Sequence, residues 1–511
     1  MIRYAAFVLG LLLLAFIPFS QERADIKVGS KKFTESVILG ELLTLVSHDA
    51  GVPTAHYQEL GGTALVFESL RNGDIDIYPE YTGTIRQEIL AGRPAEDDQQ
   101  LRTALAEQGI LMSRPLGFNN SYALGMKKER AAEFGLTTIS DLSRRPDLRF
   151  GFSSEFMDRQ DGWPKLREHY GLSPRDAKGM DHDLAYRQLD AGAIDVIDVY
   201  STDAKINVHG ITVLEDDRQC FPRYDAVFLY RADLADRHPQ LVEALLKLEG
   251  KLDAATMMQM NARAELAGAE PSRVSESRAA ADFLADRMNI RVAVQEETVA
   301  GQVWKYTVQH LDLVRKSLVP AILIAIPLGV LATKRPVCGQ VILAAVGIIQ
   351  TVPALALLVI LMKPVSLVGL SSIGAGSLNA VVALFLYSLL PIVRNTYTGL
   401  KGIPGGMHES AEALGLPSFA RLRLIELPLA ARTILAGIKT AAVMNVGFAT
   451  LGALVGAGGY GQPILTGIRL SDNSLILQGA VAAAVMALVV QGMFELAERY
   501  LVPKGLRLSA A

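Results

Sequence analysis

Cysteine is nearly missing from this sequence: two residues in 511, Cys220 and Cys338, one in each half. That scarcity argues against a disulfide framework or a cysteine-rich metal centre, and Cys220 reads as an apolar packing thiol rather than a reactive one. A dominant charge sign is missing too. Fifty Lys and Arg stand against 53 Asp and Glu, and with no dense basic stretch a nucleic-acid partner is not expected. No Gly-x-x-x-x-Gly-Lys-Ser/Thr phosphate loop occurs; Gly250-Lys251 lacks the upstream glycine. Nor is there a Gly-x-Ser-x-Gly elbow or a His-Glu-x-x-His helix, and the eight histidines are scattered. Asp74 with Asp76 and Asp195 with Asp198 are paired carboxylates at strand ends, where solvated or capping roles prevail. No catalytic residue, metal ligand or cofactor of the chain's own is expected, and the chain does not read as an enzyme.

What is present divides in two. Residues 25 to about 300 hold most of the acidic groups and read as soluble α/β protein, whereas 311–500 is dominated by Leu, Ile, Val, Ala and Gly. Before both, Arg3 precedes an apolar run from Ala5 to Phe19 and then polar residues. Residues 1–24 therefore read as an export signal or an anchoring helix that directs the soluble half out of the cytoplasm. In the second half about five stretches are long and apolar enough to span a bilayer: 317–333, 341–362, 377–393, 433–456 and 475–497. Pro320, Pro327 and Pro353 are compatible with membrane helices whose neighbours re-satisfy freed backbone groups.

An odd number of spans puts the tail, 501–511, opposite the exported half, in the cytoplasm. Charge agrees. The segments then assigned inside hold Lys334, Arg335, Arg394, Lys401, Arg421, Arg423, Arg432, Arg499, Lys504 and Arg507. Those outside hold Arg315, Lys316, Lys363 and Arg469.

Between the third and fourth stretches, residues 407–415 have helix-forming composition, Gly415 suits the left-handed position that ends a helix, and Pro417 prevents continuation. The segment 409–428 resembles the EAA loop of ABC-importer permeases. Glu409, Ala411, Gly415, Ile425, Leu427 and Pro428 fall at the family's offsets, with Ser410 in place of one alanine. The resemblance implies an all-α membrane domain of the type I importer class. It implies further that the loop docks on a separate ATPase subunit carrying ATP and Mg, and that the permease pairs with a second copy of itself within the lipid bilayer.

In the first half, strand–turn–helix units recur at Ile26–Val37, Leu60–Thr63 and Gly73–Thr84, as in an α/β fold. Several segments resemble the binding proteins of glycine betaine, carnitine and choline importers: 29–35, 78–84, 118–124, 154–162, 195–203 and 222–225. This implies a two-lobed, periplasmic-binding-protein-like α/β domain over 25–305, with lobe one at about 25–117 and 225–305 and lobe two at 118–224. A trimethylammonium group offers no N–H donor, so it is held by electron-rich aromatic faces. Tyr81, Tyr122, Tyr200 and Tyr224, with Phe156 as a fifth, are the cage candidates. Ser30, Thr84 and Asn120 are candidates for the ligand's polar end. Residue 36 is Ser where choline-type binders often carry Gln, so the particular quaternary amine stays open.

Together the resemblances imply a fused binding and membrane-spanning subunit of an ATP-driven importer for a quaternary-ammonium compatible solute. It would sit in the bacterial cytoplasmic membrane with its binding domain on the outer side. Ergothioneine, a betaine with a thione-bearing ring, is a second substrate reading. A membrane ligand-sensing receptor is an alternative of another class, against which the complete loop motif speaks.

Overall fold

The computed structural model describes residues 25–93, 97–265, 273–294, 296, 298–361, 375–470 and 472–501. The expected signal or anchor helix at 1–24 and nearly all of the tail lie outside them. The chain divides into an α/β unit and a helical unit.

In the α/β unit, β1 (Ile26–Gly29) leads into α1 (Thr34–Asp49), followed by β2 (Thr54–Tyr57), β3 (Ile77–Tyr81) and β4 (Ile110–Met112). The chain then builds a second lobe from β5 (Tyr122–Lys127), β6 (Arg149–Ser153), β7 (Asp176–Met180), β8 (Ile197–Tyr200) and β9 (Ile211–Leu214). It returns as β10 (Ala226–Arg231). The first lobe's sheet has the order β2-β1-β3-β10-β4. Its β1 is parallel to β2 and β3, as βαβ crossovers require, and β10 runs antiparallel between β3 and β4.

The second lobe joins β8-β5-β9 to the pair β6-β7 through a bridge between Phe150 and Val196. Between the lobes the chain crosses twice, side by side: Asn119 bridges Asp225, and the Asn120 and Ala226 amides donate to Tyr224 and Phe118 at 3.0 and 3.1 Å.

Helix α1 is buried on all sides from Thr34 to Ser47. One amphipathic face would suffice for a surface helix. Here α2 (Ala254–Glu265) and α3 (Glu276–Met288) cover the face turned from the sheet, so Glu35 and Glu41 go under with the leucines. Cys220 is buried as well, and burial pushes its thiol up to about 11. The unit also takes in Ile468–Asp472. Arg469, counted in the sequence among the charges assigned outside, is buried there between Glu59 and Glu276 at 2.7 and 2.8 Å.

The helical unit contains α4 (Val299–Lys334), α5 (Pro336–Thr351), α6 (Ala375–Lys401), α7 (Gly405–Ala413), α8 (Leu427–Phe448) and α9 (Asn473–Leu501). Helix α6 packs between α4 and α8, and α8 packs on α9. Asn445 donates to Ser317 at 3.1 Å across the α4–α8 contact, the kind of buried polar tie that membrane bundles use. Among the described residues four helices are long and apolar enough to cross a membrane: Val299–Lys334, Ser377–Lys401, Ser418–Val455 and Asn473–Tyr500. The expected span at 341–362 departs from this pattern. Helix α5 stops at Thr351 and a separate helix covers Ala354–Ile360. Pro353 removes a backbone donor and pushes Val352 out of helical geometry, to ψ 126°. The odd span count, and the sidedness drawn from it, therefore rest on this interrupted stretch.

Candidate functional site

Antiparallel register places Tyr122, the first residue of β5, directly opposite Tyr200, the last of β8. Opposed residues share a face of the sheet, and the two rings stand 5.3 Å apart. Tyr122 is the hub of a larger cluster. Phe156 lies 5.0 Å from it, Tyr224 meets it edge-on at 5.6 Å, and Phe221 is 6.2 Å away. From Tyr200 the chain of rings continues into lobe one through Phe33, at 6.0 Å, which stands 6.1 Å from Tyr81. The fold thus brings all five aromatic candidates into one file of rings that passes from one lobe to the other.

Each ring is held by local structure. Phe156 sits in a short helix, Ser154–Asp158, whose first turn is capped by Ser153 Oγ, and that hydroxyl donates to Asp198 at 2.6 Å. Tyr224 lies flat against Gly83, where an added Cβ would collide with its ring. Its hydroxyl donates to Asp161, which Arg159 grips through both oxygens at 2.8 and 2.7 Å. Arg159 also reaches Glu88 of lobe one at 2.8 Å and lies 5.5 Å from the Tyr122 ring. Tyr81 donates to Glu35 at 2.6 Å. Burial first, and then the Glu35 carboxylate, hold that hydroxyl protonated well above its ordinary range. The Tyr81 and Tyr224 hydroxyls are thus fixed by carboxylates, which orients their rings; the π face of such a ring is what attracts a compact organic cation.

The three polar candidates fall in different places. Asn120 is in the cluster, donating to Glu35 at 2.8 Å. Thr84 is buried in the helical turn Thr82–Thr84 that comes after Tyr81. Ser30 is fully buried, and its hydroxyl contacts His56 Nε2 at 2.9 Å and the Glu59 amide at 3.4 Å. Sequence reading assigned no binding role to Phe33, Glu35, Arg159 or Thr202, although all lie inside the segments that carried the resemblance. It had no signal at all for Asn261. Among the described residues no group of acidic, His and Cys side chains could hold a metal ion.

In the helical unit, α7 ends in a paired backbone cap: Leu416 N–H donates to Ala411 at 3.2 Å and Gly415 N–H to Glu412 at 2.9 Å. Gly415 takes φ 70°, the left-handed position expected of it. Ala411 is buried and Glu409 exposed. Ile425 lies in the turn Leu422–Glu426, and Leu427 and Pro428 open α8. Arg421 bridges Glu412 and the buried Glu426, the latter at 3.2 Å, tying α7 to the start of α8. Against this fixed base Leu414 and Phe419 are 76% and 72% exposed, an apolar knob.

A two-lobed domain joined by two crossing segments, with a file of aromatic rings running from one lobe to the other, and beyond it in the chain a membrane helix bundle with a capped, exposed loop, defines a solute-binding domain joined to a transport permease. The chain belongs to the family described as the substrate binding domain of ABC-type glycine betaine transport systems, which it matches over residues 24–286. Residues 325–504 match the inner membrane component of binding-protein-dependent transport systems. It is thus a fused binding and permease subunit of an importer, and a multi-pass membrane protein.

Among its relatives is the choline transport system permease protein OpuBB of Bacillus subtilis (strain 168), 37% identical over 41% of this chain and 94% of that protein. The osmoprotectant import permease protein OsmW of Salmonella typhimurium is 40% identical over 41% of this chain and 95% of its own length. The ergothioneine transport permease/ergothioneine binding protein EgtU of Helicobacter pylori (strain G27) is 31% identical over 52% of this chain and 48% of that protein. A crystal structure of a glycine betaine/carnitine/choline ABC transporter aligns with 30% identity and TM-score 0.45, covering 52% of this chain and all of its own.

Proposed function

We propose that this chain captures a quaternary-ammonium compatible solute of the glycine betaine, choline or carnitine type between its two lobes and passes it through its own membrane helices. The observation that carries the proposal is the unbroken file Tyr81, Phe33, Tyr200, Tyr122 with Tyr224 and Phe156 beside it, contributed by both lobes. Asn120, Thr84 and Ser30 remain the proposed donors toward the solute's polar end. In this reading the binding domain faces outward from the bacterial inner membrane. Two copies of the chain pair in the lipid, and separate ATPase subunits bring ATP and Mg to the Leu414–Phe419 knob. Ergothioneine is kept as a second substrate because the similar EgtU protein is named for transporting it.

Calorimetric titration of the purified chain with glycine betaine, choline, carnitine and ergothioneine tests the proposal. At least one is expected to bind, and Tyr122→Ala is expected to weaken it by about tenfold or more, since each dry cation–π contact contributes roughly 0.5–2 kcal/mol and Tyr122 also orders its neighbours. No binding by any of the four, or equal affinity in Tyr122→Ala, rejects it.

A further inference from the structure

The Glu35 carboxylate is almost wholly buried, and four donors from distant parts of the chain converge on it. Oε1 accepts from Tyr81 Oη at 2.6 Å and Asn120 Nδ2 at 2.8 Å; Oε2 accepts from Thr202 Oγ1 at 2.6 Å and Asn261 Nδ2 at 3.0 Å. Asn261 Nδ2 also donates to the Thr202 carbonyl at 3.1 Å. These donors sit at the end of β3, on a crossing segment, just past β8 of lobe two, and on α2 of lobe one. Both asparagines have turned their amides toward the carboxylate so completely that each Oδ1 is buried without a partner. Burial raises Glu35 and the four hydrogen bonds lower it in turn, so the donors offset part of the desolvation cost.

We infer that Glu35 is a positioning residue that latches the two lobes shut over the aromatic file through Thr202. The bonds from Tyr81, Asn120 and Asn261 to Glu35 stay within lobe one and the crossing segment. Those made by Thr202 come from lobe two and break when the lobes part. One carboxylate therefore couples the orientation of a cage tyrosine to closure. Opening costs more than the lost contacts with solute, because it leaves a buried charge short of a donor. The latch is common to every solute that the cage accepts, so it sets how long the closed state lasts rather than which solute is chosen. This inference rests on the binding reading of the aromatic cluster.

Single-molecule energy transfer on the full chain in lipid nanodiscs, with one dye on each lobe, tests it, using choline and glycine betaine as probes. The comparison is among wild type, Thr202→Val, Thr202→Ser and Glu35→Gln. The closed dwell time is expected to shorten about tenfold in Thr202→Val, the worth of one hydrogen bond to a charged group. It should shift the same way in Glu35→Gln, and return to the wild-type value in Thr202→Ser, which restores the hydroxyl. Opening of the ligand-free state and its melting temperature should be unchanged by Thr202→Val. A closed dwell time unaffected by Thr202→Val, or a wild type that never populates the short distance, overturns the latch. A wild type that closes without regard to either quaternary amine, with Thr202→Val closing less, supports the latch and rejects the cage reading.

Discussion

His182 lies between two carboxylates, Asp203 at 3.3 Å and Asp198 at 3.6 Å, with the Tyr200 ring 4.8 Å from its own. Burial works against its charge, but hydrogen bonds and the charges of Asp198 and Asp203 outweigh it and raise the imidazole well above its ordinary value. Tyr186, which donates to Asp203, and Lys205 and Glu265 share the surroundings. A histidine raised in the folded state adds stability that is fully present below its unfolded value, about 6.5, and is lost as pH climbs through the folded one. The melting temperature of the wild type should therefore fall from pH 6.5 upward more steeply than that of His182→Gln. Parallel melting profiles for the two proteins would show that the imidazole is neutral.

At this same scale the aromatic residues were legible because they stand in compact segments, whereas the hydrogen-bond hub was not. Glu35 and Asn261 are 226 residues apart, and nothing local in either neighbourhood announces that a carboxylate and an amide will meet. Ser30 illustrates the converse: a serine at a strand-to-helix turn has several backbone and side-chain partners within reach, and here they are His56 and Glu59.

Among the elements, the apolar windows located the long membrane helices but not their ends. The stretch expected at 317–333 begins instead at Val299, where Thr298 Oγ1 caps the first turn by accepting from the Gly301 amide at 3.2 Å, and nearer the apolar part Asp312 pairs with Arg315 at 2.6 Å and Lys316 at 2.5 Å. Such i,i+3 and i,i+4 pairs extend a helix past the point where hydropathy fades. The loop at 409–428 was the most legible element of all, since left-handed geometry at Gly415 and the stop at Pro417 are backbone requirements that leave few choices of residue. Its exposed Leu414 and Phe419 lead to a prediction at this scale. Leu414→Asp should leave solute affinity and melting temperature as they are, while recovery of an ATPase subunit with the purified chain drops by about tenfold or more, as expected for an anchor at the centre of an interface. Undiminished copurification would show that the knob docks nothing.

For the whole molecule, the division into a water-soluble and a lipid-embedded part was plain from composition. The expected division of the lobes at about 118 and 224 stands beside the two crossing segments that pair Asn119 with Asp225. The side of the membrane each part occupies was less accessible, because one interrupted stretch around Pro353 decides whether the span count is odd. Charge is what the proposed binding turns on: the solute would be held because it is a cation facing aromatic rings, not merely because it fits. The direct test is to titrate the purified chain with two pairs of the same shape, choline with 3,3-dimethylbutan-1-ol and glycine betaine with 3,3-dimethylbutanoate, in which a neutral carbon replaces the nitrogen. Whichever amine binds, its carbon analogue should bind at least about tenfold more weakly, the loss of roughly 0.5–2 kcal/mol at each ring it faces. Equal affinity for the two would contradict the account.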